Sequence, residues 1–383
     1  MIKSSKKLFL LIFVFFSGFA GLVFAEEPDF SRGTLVAGDE SEAAGDFDSG
    51  DFDSGDFDVG LMADLDADFE PDFFLDVEPL FGLKNGLVDE YVFLKNSAYS
   101  SDKLSELNWD IKNQFFAGAN FKAVYKCLFL KTGFKAGLSA ISSKSGLMKD
   151  SDWRNLEAEG AGNYQYKTNY SESDNHIDYD FSTFIEAGGR FKFFREKNVR
   201  VNLCPFLGFE YQIFKFTATD GTAWYGNILS EGYRAEWNDI SNRTVGTFSG
   251  DVISYKRQNF ILWLGGNLEF ELPYNFVLGA GIKVSPWIYS ESVDNHWLRS
   301  MDFLDAVSGF FSIMDISFSA EYKFTPKTSI CLNADWLCSR LLRGDNYDKS
   351  HSADIWEKRS SVEGGAAQKY LNFYISFRYR FFD

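Results

Sequence analysis

"VRVNLCPFLGFEYQIFKFTAT", residues 199–219, alternates in side-chain character almost from end to end. Val199, Val201, Leu203, Leu207, Phe209, Tyr211 and Ile213 fall on one parity; Arg200, Asn202, Glu210 and Gln212 fall on the other. Side chains on a β-strand point to opposite faces with period two. The stretch therefore predicts one long strand with a continuous apolar face and a mixed, partly charged one. Most strands of globular proteins are much shorter, about 5–6 residues. A strand this long with one greasy face suits the wall of a membrane barrel.

Nine other segments share this texture: "DEYVFLKNSAY" (89–99), "KLSELNWDIKNQFFAGANFKAVY" (103–125), "KCLFLKTGFKAGLSAIS" (126–142), "HIDYDFSTFIEAGGRFKFF" (176–194), "VISYKRQNFILWLGGNLEF" (252–270), "NFVLGAGIKVSPWIYSESVDNH" (275–296), "FFSIMDISFSAEYKF" (310–324), "TSICLNADWLCSRLL" (328–342) and "KYLNFYISFRYRFF" (369–382). They predict about ten strands, an even number as closed bacterial barrels prefer. Short breaks ("FREKN", "LPYN", "TPKT") alternate with long ones near 144–175, 220–250 and 345–368. Short periplasmic turns and long outer loops produce this rhythm. The expected fold is all-β: a transmembrane antiparallel β-barrel of about ten strands with long extracellular extensions. A soluble sandwich rarely needs so many strands of such length.

The aromatic content agrees with many amphipathic strands: 42 Phe, 18 Tyr and 9 Trp in 383 residues. Residues 1–25 read as a secretory signal, with Lys3, Lys6 and Lys7 before an apolar core and a small-residue site at Val23-Phe24-Ala25. Beyond it no run of about 20 apolar residues occurs.

The formal charge of −17 is unevenly placed. Residues 26–76 hold 18 acidic residues and one basic residue, Arg32, so this segment alone accounts for −17, and residues 77–383 come out at −3 once the three signal lysines are counted. The segment contains "GDFDSGDFDSGDFDVG" (45–60), a GDFDS repeat. Dense like charge with few branched aliphatics predicts a disordered tail. The expected organisation is thus signal 1–25, acidic tail 26–76 and barrel 77–383. Cys127, Cys204, Cys331 and Cys338 have no metal-ligand spacing and read as small apolar residues.

Chemistry narrows to a few positions. "LMKDSDWRN" (147–155) carries Asp150 and Asp152 two apart, and "ESVDNHWL" carries Asp294 and His296 two apart. On strands each pair shares a face. An Asp-x-Asp alone is commonest on a solvated loop, and an Asp-x-His often arises by chance. Counting alternate short and long breaks, however, brings both pairs to one rim. There His296 can act as general base, Asp294 can orient it, and Asp150 with Asp152 can hold a water. His176 and His351 have no comparable setting in the sequence.

On these motifs the chain resembles the omptins, outer-membrane endopeptidases of ten-stranded barrel fold. The family's D-x-D-W is matched by Asp150, Asp152 and Trp153, its D-x-H by Asp294 and His296, and its first-strand acid by Glu90 in "DEYVFL". The likeness covers residues 77–383. It implies a substrate site containing Glu90, Met148, Ile253 and Ser292, an outer-membrane location with the active site facing outwards, a peptide or protein substrate, and a monomer. No metal, cofactor or nucleic acid is expected.

Departures from the pattern carry their own expectations. Ser292 stands where the family usually has a second acid, so preference for Arg or Lys before the cut should be weaker than the family norm. The family's lipopolysaccharide cluster is matched by Phe209, Tyr211, Ile213 and Gln258, which predicts that this lipid site is absent. The alternative within the same descent is a non-catalytic barrel acting as adhesin or structural protein.

Overall fold

The computed structural model describes residues 73–95, 101–157, 164–196, 199–229 and 232–381. The signal and the GDFDS repeats lie outside these residues. One antiparallel sheet closes on itself. Its segments are β1 (Phe73–Leu94), β2 (Lys103–Tyr125), β3 (Leu128–Gly137), β4 (Lys144–Asp152), β5 (Asn169–Gly189), β6 (Phe191–Glu196) and β7 (Val199–Gly226). They continue with β8 (Arg243–Glu271), β9 (Phe276–His296), β10 (Met301–Gly309), β11 (Ile313–Lys323), β12 (Thr328–Ser339), β13 (Leu342–Ser350) and β14 (Glu357–Phe381).

These segments make ten strands of wall. β3 and β4 both run between β2 and β5, β5 and β6 both pair with β7, β10 and β11 both pair with β9, and β12 and β13 both pair with β14. Pairing of β1 with β14, from Leu75↔Phe381 to Leu94↔Val362, closes the ring. Closure removes the open edges that hydrocarbon cannot tolerate.

Alternation of polarity fixes which face meets lipid. Leu203, Leu207 and Phe209 on β7, Leu262 and Leu264 on β8, and Phe373, Ile375 and Phe377 on β14 are exposed on the outside. The lumen is polar and cross-braced: Lys135 Nζ lies 2.9 Å from Asp335 and Lys283 Nζ lies 3.5 Å from Glu210. Such pairs compensate one another's desolvation inside a closed wall.

Above the lumen sits an apolar layer of Val88, Leu107, Trp109, Ile111, Met148, Ile177, Phe214, Phe216 and Tyr255. Trp109 stacks against Phe216 and Tyr255, with ring centroids 5.6 and 5.5 Å apart. Burying a large apolar side chain contributes roughly 1.5–3 kcal/mol, so the layer is a rigid floor for whatever stands on it.

Two features differ from the sequence reading. The breaks at 144–175, 220–250 and 345–368 are largely strand: β4, the start of β5, the end of β7, the start of β8, β13 and the start of β14. They read as loops because both their faces are polar above the membrane. In addition, β1 starts at Phe73, inside the acidic stretch. Asp76 there accepts from Arg380 Nε at 2.8 Å and Nη2 at 3.0 Å. Its partner lies at the far end of the chain, so the acid looks like part of the tail in the sequence. The four cysteines, expected to be unbridged, are all free.

Candidate active site

Period two alone does not aim β9 correctly along its whole length. Near its start Gly279, Gly281 and Lys283 face the lumen; near its end Ile288, Ser290, Ser292, Asp294 and His296 are the buried set. The parity changes because Leu262↔Trp287 is followed by Leu264↔Val284, which leaves one extra residue on β9 around Ser285 and Pro286. Proline inside a sheet is found at such bulges, where its missing N–H breaks no ladder bond. Exposed Trp287 marks the upper edge of the outer apolar face, as tryptophans do at membrane interfaces. At about 3.3 Å per residue, His296 lies roughly 30 Å further along the strand, well outside the bilayer.

His296 Nε2 lies 2.6 Å from Asp294 Oδ2. That contact leaves Nδ1 for a second partner. Burial by itself would lower the imidazole pKa, but the charge and hydrogen bond of Asp294 outweigh it and raise the pKa. The ring also packs edge-on against Phe303, at 5.1 Å between centroids.

Facing this pair, β4 presents Asp150 and Asp152. Asp152 Oδ2 accepts from Asn169 Nδ2 at 3.2 Å and lies 3.5 Å from Arg154 Nε. Asp150 Oδ1 is buried with no protein hydrogen-bond partner. Burial, then the charge of Asp152, pushes the Asp150 carboxyl up to about 7, against the charges of His296 and Arg299.

Asp150, Asp152 and His296 line one cavity of about 140 Å³, with Asn169, Tyr225, Ile253, Leu298 and Arg299 among its other walls. The structure thus brings the two sequence pairs together. Ile253 also belongs to the site and pairs in register with His296. Glu90 and Asp150 flank β2 on either side, both in register with Leu107. Met148 is different: it is fully buried in the floor layer rather than lining the cavity. Trp153 packs beside Leu104, Leu156 and Val362, with Lys103 Nζ 4.4 Å from its ring centroid. Ser292 is buried on the inner face between Arg257 and Asp305.

Some neighbours were not legible beforehand. Asn169 and Arg299 reach the cavity from segments that carry no motif. His351, which had no evident partner in the sequence, lies 2.9 Å from Asp302 on the rim. On the outer wall, Tyr211 Oη donates to Gln258 Oε1 at 2.8 Å and packs against Phe260.

The model of the Omptin family matches residues 75–381. The chain belongs to the omptin family. Among relatives of this omptin, the outer membrane protease OmpP of Escherichia coli K12 is 24% identical over 292 residues, covering 73% of this chain and 84% of that protein. The plasminogen activator of Yersinia pestis is 23% identical over 254 residues, covering 63% and 69%. The crystal structure of the outer membrane protease OmpT from Escherichia coli superposes with a TM-score of 0.67 at 19% identity, over 83% of this chain and 99% of that one. That likeness bears out the ten-stranded barrel. The omptin described here is accordingly an outer-membrane protease of this family.

Proposed function

We propose that this omptin is an endopeptidase that hydrolyses exposed peptides or proteins with a water activated at the Asp294–His296 pair. The observation that carries the reading is the shared cavity, with Asp150 and Asp152 on one wall and His296, held by Asp294, on the other. His296 takes a proton from the water as the water's oxygen attacks the peptide carbonyl. Asp294 holds the imidazole's orientation and stabilises the imidazolium that forms. The proton then passes to the leaving amine as the C–N bond breaks.

Asp150 and Asp152 hold the water. Two carboxyls this close do not both ionise readily, and Asp150 with its raised pKa keeps a proton over part of the neutral range. It can then donate as well as accept. Substrate reaches the site from outside the cell in this reading, because the cavity is lined by Asn169 at the start of β5 and by Leu298 and Arg299 just after β9, at the strand ends marked by Asp152, Gly226 and His296.

The test is cleavage of a peptide library by the refolded protein and its His296→Ala variant. Cutting by the parent and its loss in the variant is the expected result. Reagents that modify serine or cysteine nucleophiles should leave cutting unchanged, since the attacking oxygen is water's. Equal cutting by both proteins would overturn the assignment.

A further inference from the structure

The turn that follows the Asp294–His296 pair is braced on two sides. β9 ends at His296, and Trp297–Arg299 make one short helical turn before β10. Trp297 Nε1 donates to Ser254 Oγ at 2.9 Å, and Ser254 Oγ lies 3.1 Å from Thr217 Oγ1. On its other side the Trp297 ring meets the His351 ring, at 5.5 Å between centroids. His351 Nε2 lies 2.9 Å from Asp302 Oδ1, which also accepts from Asn295 Nδ2 at 2.6 Å. The His351 N–H donates to the Ser300 carbonyl at 3.0 Å. Ser300 is left-handed, with φ of 53°, which ends the turn sharply. The proposed hydrolysis makes no use of this bracing, yet the bracing fixes the backbone of Arg299.

Arg299 lines the same cavity as Asp150, Asp152 and His296. Among the described residues it is the only lysine or arginine that does so. It is exposed, and it makes no hydrogen bond or ion pair among the described residues. Other arginines around the site are engaged. Arg154 lies 3.5 Å from both Asp152 and Glu157, and Arg257 donates to the carbonyls of Asp89 and Ala367.

The acids of the cavity leave the charge of Arg299 uncompensated. Asp152 is matched by Arg154, Asp294 is held by His296, and Asp150 keeps a proton over part of the neutral range. Beside Arg299 the wall is apolar, made by Phe248, Val252, Ile253 and Leu298. An acidic side chain fits this arrangement. Its methylenes can cover the apolar wall while its carboxylate meets the guanidinium, whose fork matches a carboxylate with two parallel hydrogen bonds.

We propose that Arg299 is a specificity-determining residue that receives an acidic side chain of the substrate within two residues of the cut. The proposal rests on the endopeptidase reading and names a substrate class for it: peptides with glutamate or aspartate beside the scissile bond. The charge of Arg299 already acts across the cavity on Asp150 and His296, less strongly than burial acts on either. A substrate carboxylate in the cavity lies within the same field.

The experiment gives the refolded protein pairs of peptides that differ only in glutamate or glutamine. The differing residue is placed in turn at each position from two before to two after the scissile bond, and mass spectrometry fixes the cut. At one position or more, kcat/KM should favour glutamate by about 5- to 10-fold, between the worth of an exposed ion pair and that of a buried charge-assisted bond. The preference should shrink as ionic strength rises from about 0.01 to 1 M, where the screening length falls from about 30 to 3 Å. Arg299→Gln should bring the ratio close to one, and Arg299→Glu should turn it into a preference for lysine over glutamine at the same position. A merely structural role for Arg299 would lower cleavage of both peptides and leave the ratio and its salt dependence as they were. No glutamate preference at any position in the parent, or a ratio unchanged in Arg299→Gln, would overturn the proposal. If the parent cuts none of the peptides, the endopeptidase reading fails, and titration calorimetry decides for the pocket. Tighter binding of a glutamate peptide than of its glutamine twin, lost in Arg299→Gln, upholds it; equal binding of the two overturns it.

Discussion

Asp294 and His296 stand side by side on the inner face of β9, with Oδ2 2.6 Å from Nε2, and they face inwards because the strand carries one extra residue near Pro286. The pair is thus a product of local spacing and of a bulge some eight residues below it.

His296→Ala should lower kcat by about 10²- to 10⁴-fold, the usual contribution of a general base, while the barrel still folds. Asp294→Asn should cost as much or less, because Asp294 orients the ring rather than accepting the proton. Single-turnover cleavage together with heat-modified gel mobility separates lost chemistry from lost folding. Full activity in the His296→Ala protein would remove the base from the mechanism.

The acid limb of the pH–rate profile should lie above the ordinary histidine value of about 6.5, because Asp294 raises the His296 pKa against the opposing effect of burial. Protonated His296 is not a base, so activity falls as pH drops through that raised pKa. Asp294→Asn should move the limb to lower pH. A limb at the same pH in both proteins would detach Asp294 from the titration.

Buried acids should make the barrel less stable as pH rises. Asp305 has a folded pKa raised from 3.8 to about 7. The folded state therefore holds its proton more tightly, and that stabilisation is present at acid pH and lost as pH rises from the unfolded value through the folded one. Asp305→Asn should raise the thermal midpoint under mildly alkaline conditions, with an effect on the order of a few kcal/mol, and change it little in acid. Thermal scans across pH in detergent test this; a pH-independent difference would contradict it.

Gly364→Ala should displace the Asp305 carboxylate, since the new Cβ would sit 2.0 Å from Oδ1. Overpacking of this kind typically costs about 1–3 kcal/mol. A crystal structure of the variant with the added methyl accommodated and Asp305 unmoved, or an unchanged thermal midpoint, would show that the clearance is incidental.

The barrel was legible because lipid and lumen impose opposite chemistry on alternate residues, so Leu203, Leu207 and Phe209 announce a wall by themselves. The Asp294–His296 pair was legible for the same reason: its partners are two apart. Legibility ended where partners meet across strands. Asp305 lies far enough along the chain from Ser292 that only the β9–β10 register shows them opposite each other, and Asn169 meets Asp152 only through the β4–β5 register. The upper strands were hidden because water on both faces erases the apolar stripe that defines a strand in the membrane. Asp76 was hidden because Arg380, which neutralises it, is the other end of the ring.

The apolar floor of Trp109, Phe216 and Tyr255 has a physiological meaning beyond support. The cavity above it and the polar lumen below share no lining residue. With Trp109 stacked on Phe216 and Tyr255 between the two cavities, the products of the proposed cutting are expected to leave on the side from which the substrate came. Among the described residues the layer thus divides the hydrolase into two compartments, and the chemistry at the rim answers to the outside medium rather than to the lumen beneath it.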